Sequence, residues 1–258
     1  KDVIGQAQTG TGKTAAFGLP MVQRLNAQVR GVQGLVLVPT RELAVQVADH
    51  MAKFAKYAKL RVLPVYGGES INKQVHALAG AVHIVVGTPG RIIDLIERRV
   101  LNLSSVKVLV LDEADRMLDM GFIEDIELIL SRTPKDRQTS LFSATIDQSV
   151  MKIANKYMRN PLKILVSKDE IALTQMKQFY TVVNQHSKFD ALFSILSRDE
   201  VDKAIIFCRT RRETSRISDQ LNRKGLRVQA LHAGFTQAQR DRAISDFRCG
   251  RLNLLVAT

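Results

Sequence analysis

Eight consecutive residues near the start of the chain, Ala7-Gln8-Thr9-Gly10-Thr11-Gly12-Lys13-Thr14, have the order of a phosphate cradle. Gly10 and Gly12 allow the backbone to curl so that successive N–H groups, those of Thr9 and Thr11 included, point inward at an anion. Lys13 is placed to reach outer phosphates, and the Thr14 hydroxyl is a hard oxygen donor suited to Mg²⁺. The apolar run Val3-Ile4-Gly5 before the loop reads as a buried strand, and Ala15-Ala16-Phe17 after it opens a helical pattern. A helix N-terminus there adds partial positive charge. The motif in its general form begins with Gly, where this chain has Ala7. A glycine-bearing turn with a solvated lysine is the alternative reading.

A second constellation supplies carboxylates. Val106-Lys107-Val108-Leu109-Val110-Leu111 runs into Asp112-Glu113-Ala114-Asp115. A buried strand ending in acids places them where ligands bind in an open α/β sheet. Asp112 could hold Mg²⁺ through water, and Glu113 could position and deprotonate a water attacking a γ-phosphate. An acidic helix N-terminus explains one Asp well, but three carboxylates downstream of a phosphate loop poorly. Asp115 and Ser143/Thr145 fall at the ends of two expected strands, which makes a hydrogen bond between them plausible. A capped strand end is the alternative.

Three further stretches have anion-binding character. Thr88 can cap a helix whose first residue is Pro89, and Arg91 then lies in its first turn after Gly90. Free N–H groups and a guanidinium there could clamp one phosphate. Thr40, after Pro39, begins a helix carrying Arg41 in the same manner, and Gly67-Gly68 would admit a close backbone approach. Ordinary capping or turn chemistry explains each of these singly.

Strand-like runs over 3–7, 34–39, 61–66, 83–87, 106–111, 139–143 and 163–166 must position these residues. They alternate with helical patterns over 12–27, 71–78, 91–99, 123–131 and 147–158. Leu43, Val47, Met51, Phe54, Ala55 and Ala58 mark a further amphipathic helix at the 3.6-residue period. Strands apolar on both faces and alternating with helices argue for a parallel sheet covered by helices. The pattern turns polar around Lys168-Asp169-Glu170, so a linker is expected over 168–177, between a first domain at 1–167 and a second at 178–258. In the second, strands are expected at 178–183, 204–208, 227–231 and 253–256, and helices at 188–196, 213–224 and 238–247. The chain ends directly after a strand, leaving no helix to cover it, and the second domain reads as cut short. The abrupt start inside a strand likewise reads as a missing N-terminus. The Met117–Phe122 stretch is read as local structure without chemistry.

Net charge is +13 over 258 residues, and the stretch from Lys203 to Thr258, with 12 Lys+Arg against 4 Asp+Glu, holds +8 of it. Such an excess suits a polyanionic partner through counterion release, with solvated surface charge as the alternative. Aromatic content is only 5% and tryptophan is absent, which favours backbone contact over base stacking as the grip. No apolar run reaches the roughly 18 residues of a membrane span. Cys208 and Cys249 and the five histidines show no metal-ligand spacing, and a reducing, cytoplasmic setting fits best.

Taken in order, these motifs resemble the DEAD-box ATP-dependent RNA helicases. Asp112-Glu113-Ala114-Asp115 spells that family's signature, and Ala7 in the phosphate loop is its usual form. Pro39-Thr40-Arg41-Glu42-Leu43, Gly67-Gly68 and Thr88-Pro89-Gly90-Arg91 resemble its RNA-contacting motifs in the first domain. Ser143-Ala144-Thr145 resembles the motif linking ATP state to strand separation. Ile205-Ile206-Phe207-Cys208-Arg209-Thr210, Gln237 with Arg240, and Val256-Ala257-Thr258 resemble second-domain motifs. The resemblance implies a P-loop NTPase fold: a RecA-like sheet followed by an incomplete second RecA-like domain, using ATP and Mg²⁺. It further implies a non-membrane protein that grips the sugar-phosphate path of RNA, largely without regard to sequence, as its two domains close. Asp115 with Ser143 and Thr145 would couple hydrolysis to RNA work. The family's upstream glutamine motif and its downstream arginine-finger motif have no counterpart here, so these residues alone are expected to show little RNA-stimulated hydrolysis. A DNA helicase or translocase of the same superfamily, and a non-catalytic nucleotide- or RNA-binding fragment, are the alternatives.

Overall fold

Branched aliphatic residues buried on both sides of the backbone build the centre of the first sheet. Its strands are β1 (Val3–Gln6), β2 (Gly34–Leu37), β3 (Val62–Val65), β4 (Ile84–Gly87), β5 (Val108–Leu111), β6 (Gln138–Ser143) and β7 (Leu162–Leu165). They pair in the order β3-β4-β2-β5-β6-β1-β7, with every ladder parallel. The central strands β2, β4 and β5 are the buried ones, while the edge strand β7 is exposed. The computed structural model describes residues 1–7, 11–165, 177, 179–184, 187–198 and 201–258. The chain divides into two compact units, Lys1–Leu173 and Thr174–Thr258. Apart from Lys177, the expected linker at 168–177 lies outside the described residues.

Side chains alternate across a strand, so each strand feeds two cores. Leu35 and Leu37 of β2 and Leu109 and Leu111 of β5 enter one core; Val36, Val108 and Val110 enter the other. Helices α1 (Lys13–Arg24) and α2 (Arg41–Ala55) cover the valine side through Phe17, Met21, Val47 and Met51. The leucine side is covered by α3 (Ile71–Leu78), α4 (Pro89–Glu97), α5 (Ala114–Asp119), α6 (Ile123–Ser131) and α7 (Gln148–Tyr157), through residues such as Ile92, Met117, Ile126 and Val150. Burial on both faces is the reason the strands read as continuous apolar runs. Helix α5 departs from the sequence reading. Its six residues are too few to display a helical period, yet Met117 and Leu118 are buried in the core.

The second unit holds α8 (Lys188–Leu196), β8 (Ala204–Phe207), α9 (Arg211–Arg223), β9 (Val228–Leu231), α10 (Gln237–Arg248) and β10 (Leu254–Ala257). Its three strands are parallel in the order β8-β10-β9, over a core of Leu196, Leu221, Val228, Leu254 and Val256. Two expectations are corrected here. The final strand is not left uncovered: β10 lies between its two neighbours and is buried along its whole length. The uncovered strand is β8 at the edge, where Ile205 and Phe207 are exposed. Nor do the described residues of 178–183 form a strand; Phe179, Tyr180 and Val182 are exposed there. Their types favour a strand, but that preference is realised only by pairing and packing against neighbours. No described helix is long and apolar enough to cross a membrane.

Candidate functional site

Because every strand of the first sheet runs the same way, all its loops after strand ends emerge at one edge. Register aligns Leu37 with Gly87 and with Leu111, Leu111 with Leu141, and Gln6 with Ser143. In spatial order the strand ends therefore lead into Gly67-Gly68, Thr88-Pro89-Gly90-Arg91, Pro39-Thr40-Arg41, Asp112–Asp115, Ser143–Thr145 and the phosphate loop. Six stretches scattered through the sequence are sorted into two adjoining halves. Helix α1 leaves β1 toward one face of the sheet while α5 leaves β5 toward the other. Connections that diverge in this way open the crevice in which α/β sheets bind ligands.

In the first half, Gly12 holds φ +86°, a left-handed conformation, immediately before α1. That turn makes Lys13 the first helical residue and buries its side chain, with Nζ 3.6 Å from Asp112 Oδ1. Thr14 follows in the first turn, half-buried, while Thr11 and Gly12 are exposed. Thr9 and Gly10 lie outside the described residues. Gln6 Nε2 donates to Ala144 O at 3.1 Å and Ala7 N–H to Ser143 O at 3.1 Å, tying the loop's base to the end of β6.

Asp112 is buried, and its N–H donates to Leu37 O at 2.9 Å. Burial pushes its carboxyl above the ordinary value; the Lys13 charge pulls it back, Glu113 pushes it further up, and the Glu113 N–H bonded to its Oδ1 at 3.0 Å lowers it. Glu113 has φ 53° and ψ 51°, a left-handed conformation that L side chains adopt at a cost on the order of 1–3 kcal/mol. Its carboxylate accepts from Arg116 Nη1 at 3.1 Å.

Asp115 joins the two strand ends as the sequence suggested. Thr145 donates to its Oδ2 from both N–H (2.8 Å) and Oγ1 (2.9 Å), and the Asp115 N–H donates to Ser143 Oγ at 3.2 Å. Partial burial opposes the Asp115 charge, but the bonds from Thr145, Ser143 and Arg116 outweigh it and hold the carboxyl below its ordinary value. A depressed carboxyl stabilises the fold above its unfolded value, and that contribution is lost as pH falls through the folded one. Replacing Asp115 by Asn is expected to cost about 1 kcal/mol near neutral pH, the difference between charge-assisted and neutral bonds. The gap between the melting curves of variant and wild type should close in strong acid; a gap independent of pH would contradict the assignment.

In the second half, the Thr40 hydroxyl accepts from Leu43 N–H at 3.3 Å and caps α2, with Pro39 buried before it. Arg41 then reaches the Gly67-Gly68 turn. Gly68 has φ +87°, and a Cβ built on it would fall inside the Arg41 guanidinium. Thr88 holds the N-cap position of α4 with Pro89 first in the helix, but its hydroxyl makes no capping bond, contrary to expectation. Gly90 is exposed. Arg91 donates from Nη1 and Nη2 to Glu69 O, each at 3.3 Å, and lies 3.7 Å from Asp94 Oδ2. Two arginines from different helices thus meet one glycine turn.

The second unit has the same edge logic. Thr258 follows β10, exposed, its N–H donating to Leu231 O at 3.3 Å. After β9, the loop carries His232 stacked on Phe235 at 4.4 Å, and Thr236 with Gln239 forms a reciprocal capping box at the start of α10. Gln237 donates to Asp241 at 2.8 Å, and the buried Nε of Arg240 has no hydrogen-bond partner among the described residues.

The family model for DEAD/DEAH box helicases matches residues 1–153, and that for the helicase conserved C-terminal domain matches residues 187–258. The chain belongs to the DEAD/DEAH box helicase family. DEAD-box ATP-dependent RNA helicases CshA of Bacillus cereus and Geobacillus kaustophilus are each 47% identical over 258 residues, all of this chain and 49% and 55% of theirs. The chain spans about half the length of the curated relatives it matches. Among solved structures, a DEAD box protein from Methanococcus jannaschii aligns at TM-score 0.63 and 39% identity, over all of this chain and 69% of the other. Dbp5 of S. cerevisiae bound to RNA and ADP BeF3 aligns at TM-score 0.87 and 34% identity, over all of this chain and 66% of that one.

In this DEAD-box chain the donors facing a divalent cation would be one carboxylate, Asp112, and one hydroxyl, Thr14. No described cluster of three or more acids, histidines or cysteines could cage a metal by itself. A hard-oxygen set this small fits Mg²⁺, which keeps much of its water and shares substrate phosphates. Asp112 is also a buried carboxylate that, among the described residues, is paired with one ammonium, at 3.6 Å, so a divalent ion would offset the charge that burial disfavours. Three residues beside these loops escaped the sequence reading. Gln6, and Gln74, whose Nε2 donates to Tyr66 O ahead of the glycine turn at 2.9 Å, carry no signal of their own in sequence. Arg116, three residues after Glu113, would have stood out had α5 been recognised.

Proposed function

We propose that this chain is the nucleotide- and RNA-binding core of an ATP-dependent RNA helicase. The buried Lys13–Asp112 pair at the carboxyl edge of the first sheet carries the reading, with Glu113 beside it. Lys13 and the amides of Thr9, Gly10, Thr11 and Gly12 receive the ATP phosphates and hold the γ-phosphorus still. Glu113 orients a water and takes its proton as the oxygen bonds to that phosphorus, while the bond to the bridging oxygen of ADP breaks. Lys13 offsets the charge building on the leaving side. Asp112 and Thr14 are the residues that would hold Mg²⁺, which supplies further charge neutralisation.

RNA binds along the other half of the same edge. Thr40, Arg41, Gly67, Gly68, Thr88, Gly90 and Arg91, with Pro39 and Pro89 fixing the turns, face its phosphates. Arg240 and Thr258 do so from the second unit. Contacts to phosphate and sugar position a strand without reading bases, and selectivity for RNA comes from the 2′-hydroxyl. Asp115, through Ser143 and Thr145, joins the end of the phosphate-binding region to β6 and couples hydrolysis to strand separation. Thr145→Ala should therefore leave RNA-stimulated hydrolysis largely intact while duplex separation is lost; parallel losses of both would remove the coupling role.

Support comes from the names of the relatives, from the RNA and ADP BeF3 bound to Dbp5, and from the basic excess after Lys203. The deciding experiment is competition between RNA and DNA strands of equal sequence for the full-length protein with an ATP analogue bound. RNA should win clearly; equal competition would favour the DNA reading. The expectation that residues 1–258 alone hydrolyse little ATP in response to RNA is checked by comparing them with the full-length protein.

A further inference from the structure

Helix α3 turns a stripe at the helical period toward the core, Ile71, Gln74, Val75 and Leu78, of which the three apolar members are partly buried and pack against it. The fourth, Gln74, is only 3% exposed. Its Oε1 has no hydrogen-bond partner among the described residues, and leaving a buried acceptor unmet is costly. Its Nε2 donates to Tyr66 O at 2.9 Å, at the entrance of the Gly67-Gly68 turn. A leucine or methionine would suit an apolar stripe without leaving an acceptor unmet; what the amide adds is the bond to Tyr66 O.

The same turn is held at two other points. Arg41 from α2 lies against Gly68, its guanidinium occupying the place of a Cβ, and Arg91 from α4 grips Glu69 O with both terminal nitrogens. Three side chains from three helices thus fix residues 66–69. Two of them are cations; the third is neutral and buried, and its amide nitrogen donates to the turn.

From this we infer that Gln74 is a positioning residue for RNA: it sets the Gly67-Gly68 turn, and through it Arg41, at the spacing a bound strand requires. The inference rests on the RNA reading given above. Loss of one neutral positioning bond corresponds to roughly twofold to tenfold in affinity.

The test uses the full-length protein with a non-hydrolysable ATP analogue and a short single-stranded oligouridylate as the probe. Gln74→Met fills the same volume without the amide. It should weaken oligouridylate binding roughly twofold to tenfold, leave nucleotide affinity unchanged, and raise KM for RNA without lowering kcat at saturating RNA. A second variant, Gln74→Glu, adds a readout that general destabilisation would not produce. The carboxyl it introduces can donate to Tyr66 O only when protonated, so its RNA affinity should recover as pH is lowered, more than that of wild type. Unaltered binding in Gln74→Met, or a Gln74→Glu variant whose affinity follows wild type at every pH, overturns the inference. Arg41→Ala separates the two levels. If it weakens RNA binding while Gln74→Met does not, only the positioning role fails. If Arg41→Ala has no effect, RNA does not use this turn, and both fall.

Discussion

Glu113→Gln in the full-length protein is expected to slow RNA-stimulated ATP hydrolysis by about 10²–10⁴-fold while nucleotide affinity changes little. Glutamine keeps the shape and can still accept a bond from Arg116, whose Nη1 lies 3.1 Å from the Glu113 carboxylate. What it cannot do is take a proton from water. Asp112 is a poor substitute: it is buried, is paired with Lys13, and is the residue proposed to hold Mg²⁺. Glu113 reaches its position through a strained left-handed backbone, φ 53° and ψ 51°, at the junction of β5 and α5. That junction gives the two consecutive acids different partners, Lys13 for Asp112 and Arg116 for Glu113. Single-turnover hydrolysis measured beside equilibrium nucleotide binding checks the expectation. Near-normal turnover in Glu113→Gln would remove the proton-accepting role, and a matching loss of nucleotide affinity would mean that the residue binds and does not act on water.

The second large effect is expected at Lys13. Lys13→Ala should lower kcat by about 10²–10³-fold, the cost of deleting one charge-stabilising donor, and should also weaken ATP binding. It should further act on the fold, because it leaves the buried Asp112 without its cation; breaking a buried pair in this way typically costs about 3–5 kcal/mol. Burial already holds the Asp112 carboxyl above its ordinary value, and removing Lys13 raises it further. A raised carboxyl destabilises the fold in full at pH above its folded value; the cost declines as pH falls through that value and is gone below the unfolded one. The stability gap between Lys13→Ala and wild type should therefore narrow in mild acid. Adding Asp112→Asn to Lys13→Ala should recover melting temperature without recovering hydrolysis. Recovery of hydrolysis in that double variant, or a stability gap that ignores pH, would show that the two residues do not act as a pair.

Much of the site is legible in the sequence because it depends on local chain chemistry. Gly12-Lys13-Thr14 after an apolar run needs only a turn and a helix start to present amides and an ammonium. Asp112-Glu113 needs only a buried strand before it. Thr40, followed by a helical period, caps its helix as its side-chain chemistry dictates. The element pattern was legible for the same reason, since strands buried on both faces and helices with one apolar side leave different periods.

Other features are not local. A residue such as Gln74 sits in an apolar stripe, and its spacing alone would assign it to the core; its bond to Tyr66 depends on where α3 lies against β3. The Phe179-Tyr180-Thr181-Val182 run has strand chemistry, but a strand forms only by pairing with a neighbour, and these residues make no such pairing among the described residues. Whether β10 would be exposed depended on strand order. The chain returned it between β8 and β9, where both neighbours and helix α9 enclose it.

By itself the sequence determined which residues have the chemistry for phosphate, metal, water and RNA, because side-chain type and near-neighbour spacing carry that information. The tertiary structure alone decided which of them share a place. Parallel pairing in the order β3-β4-β2-β5-β6-β1-β7 brings residues 7–14, 112–115 and 143–145 to one half of an edge and 39–41, 67–69 and 88–91 to the other. Strand order is set by which apolar faces bury best against which helices, a sum over the whole unit that no short stretch of chain contains.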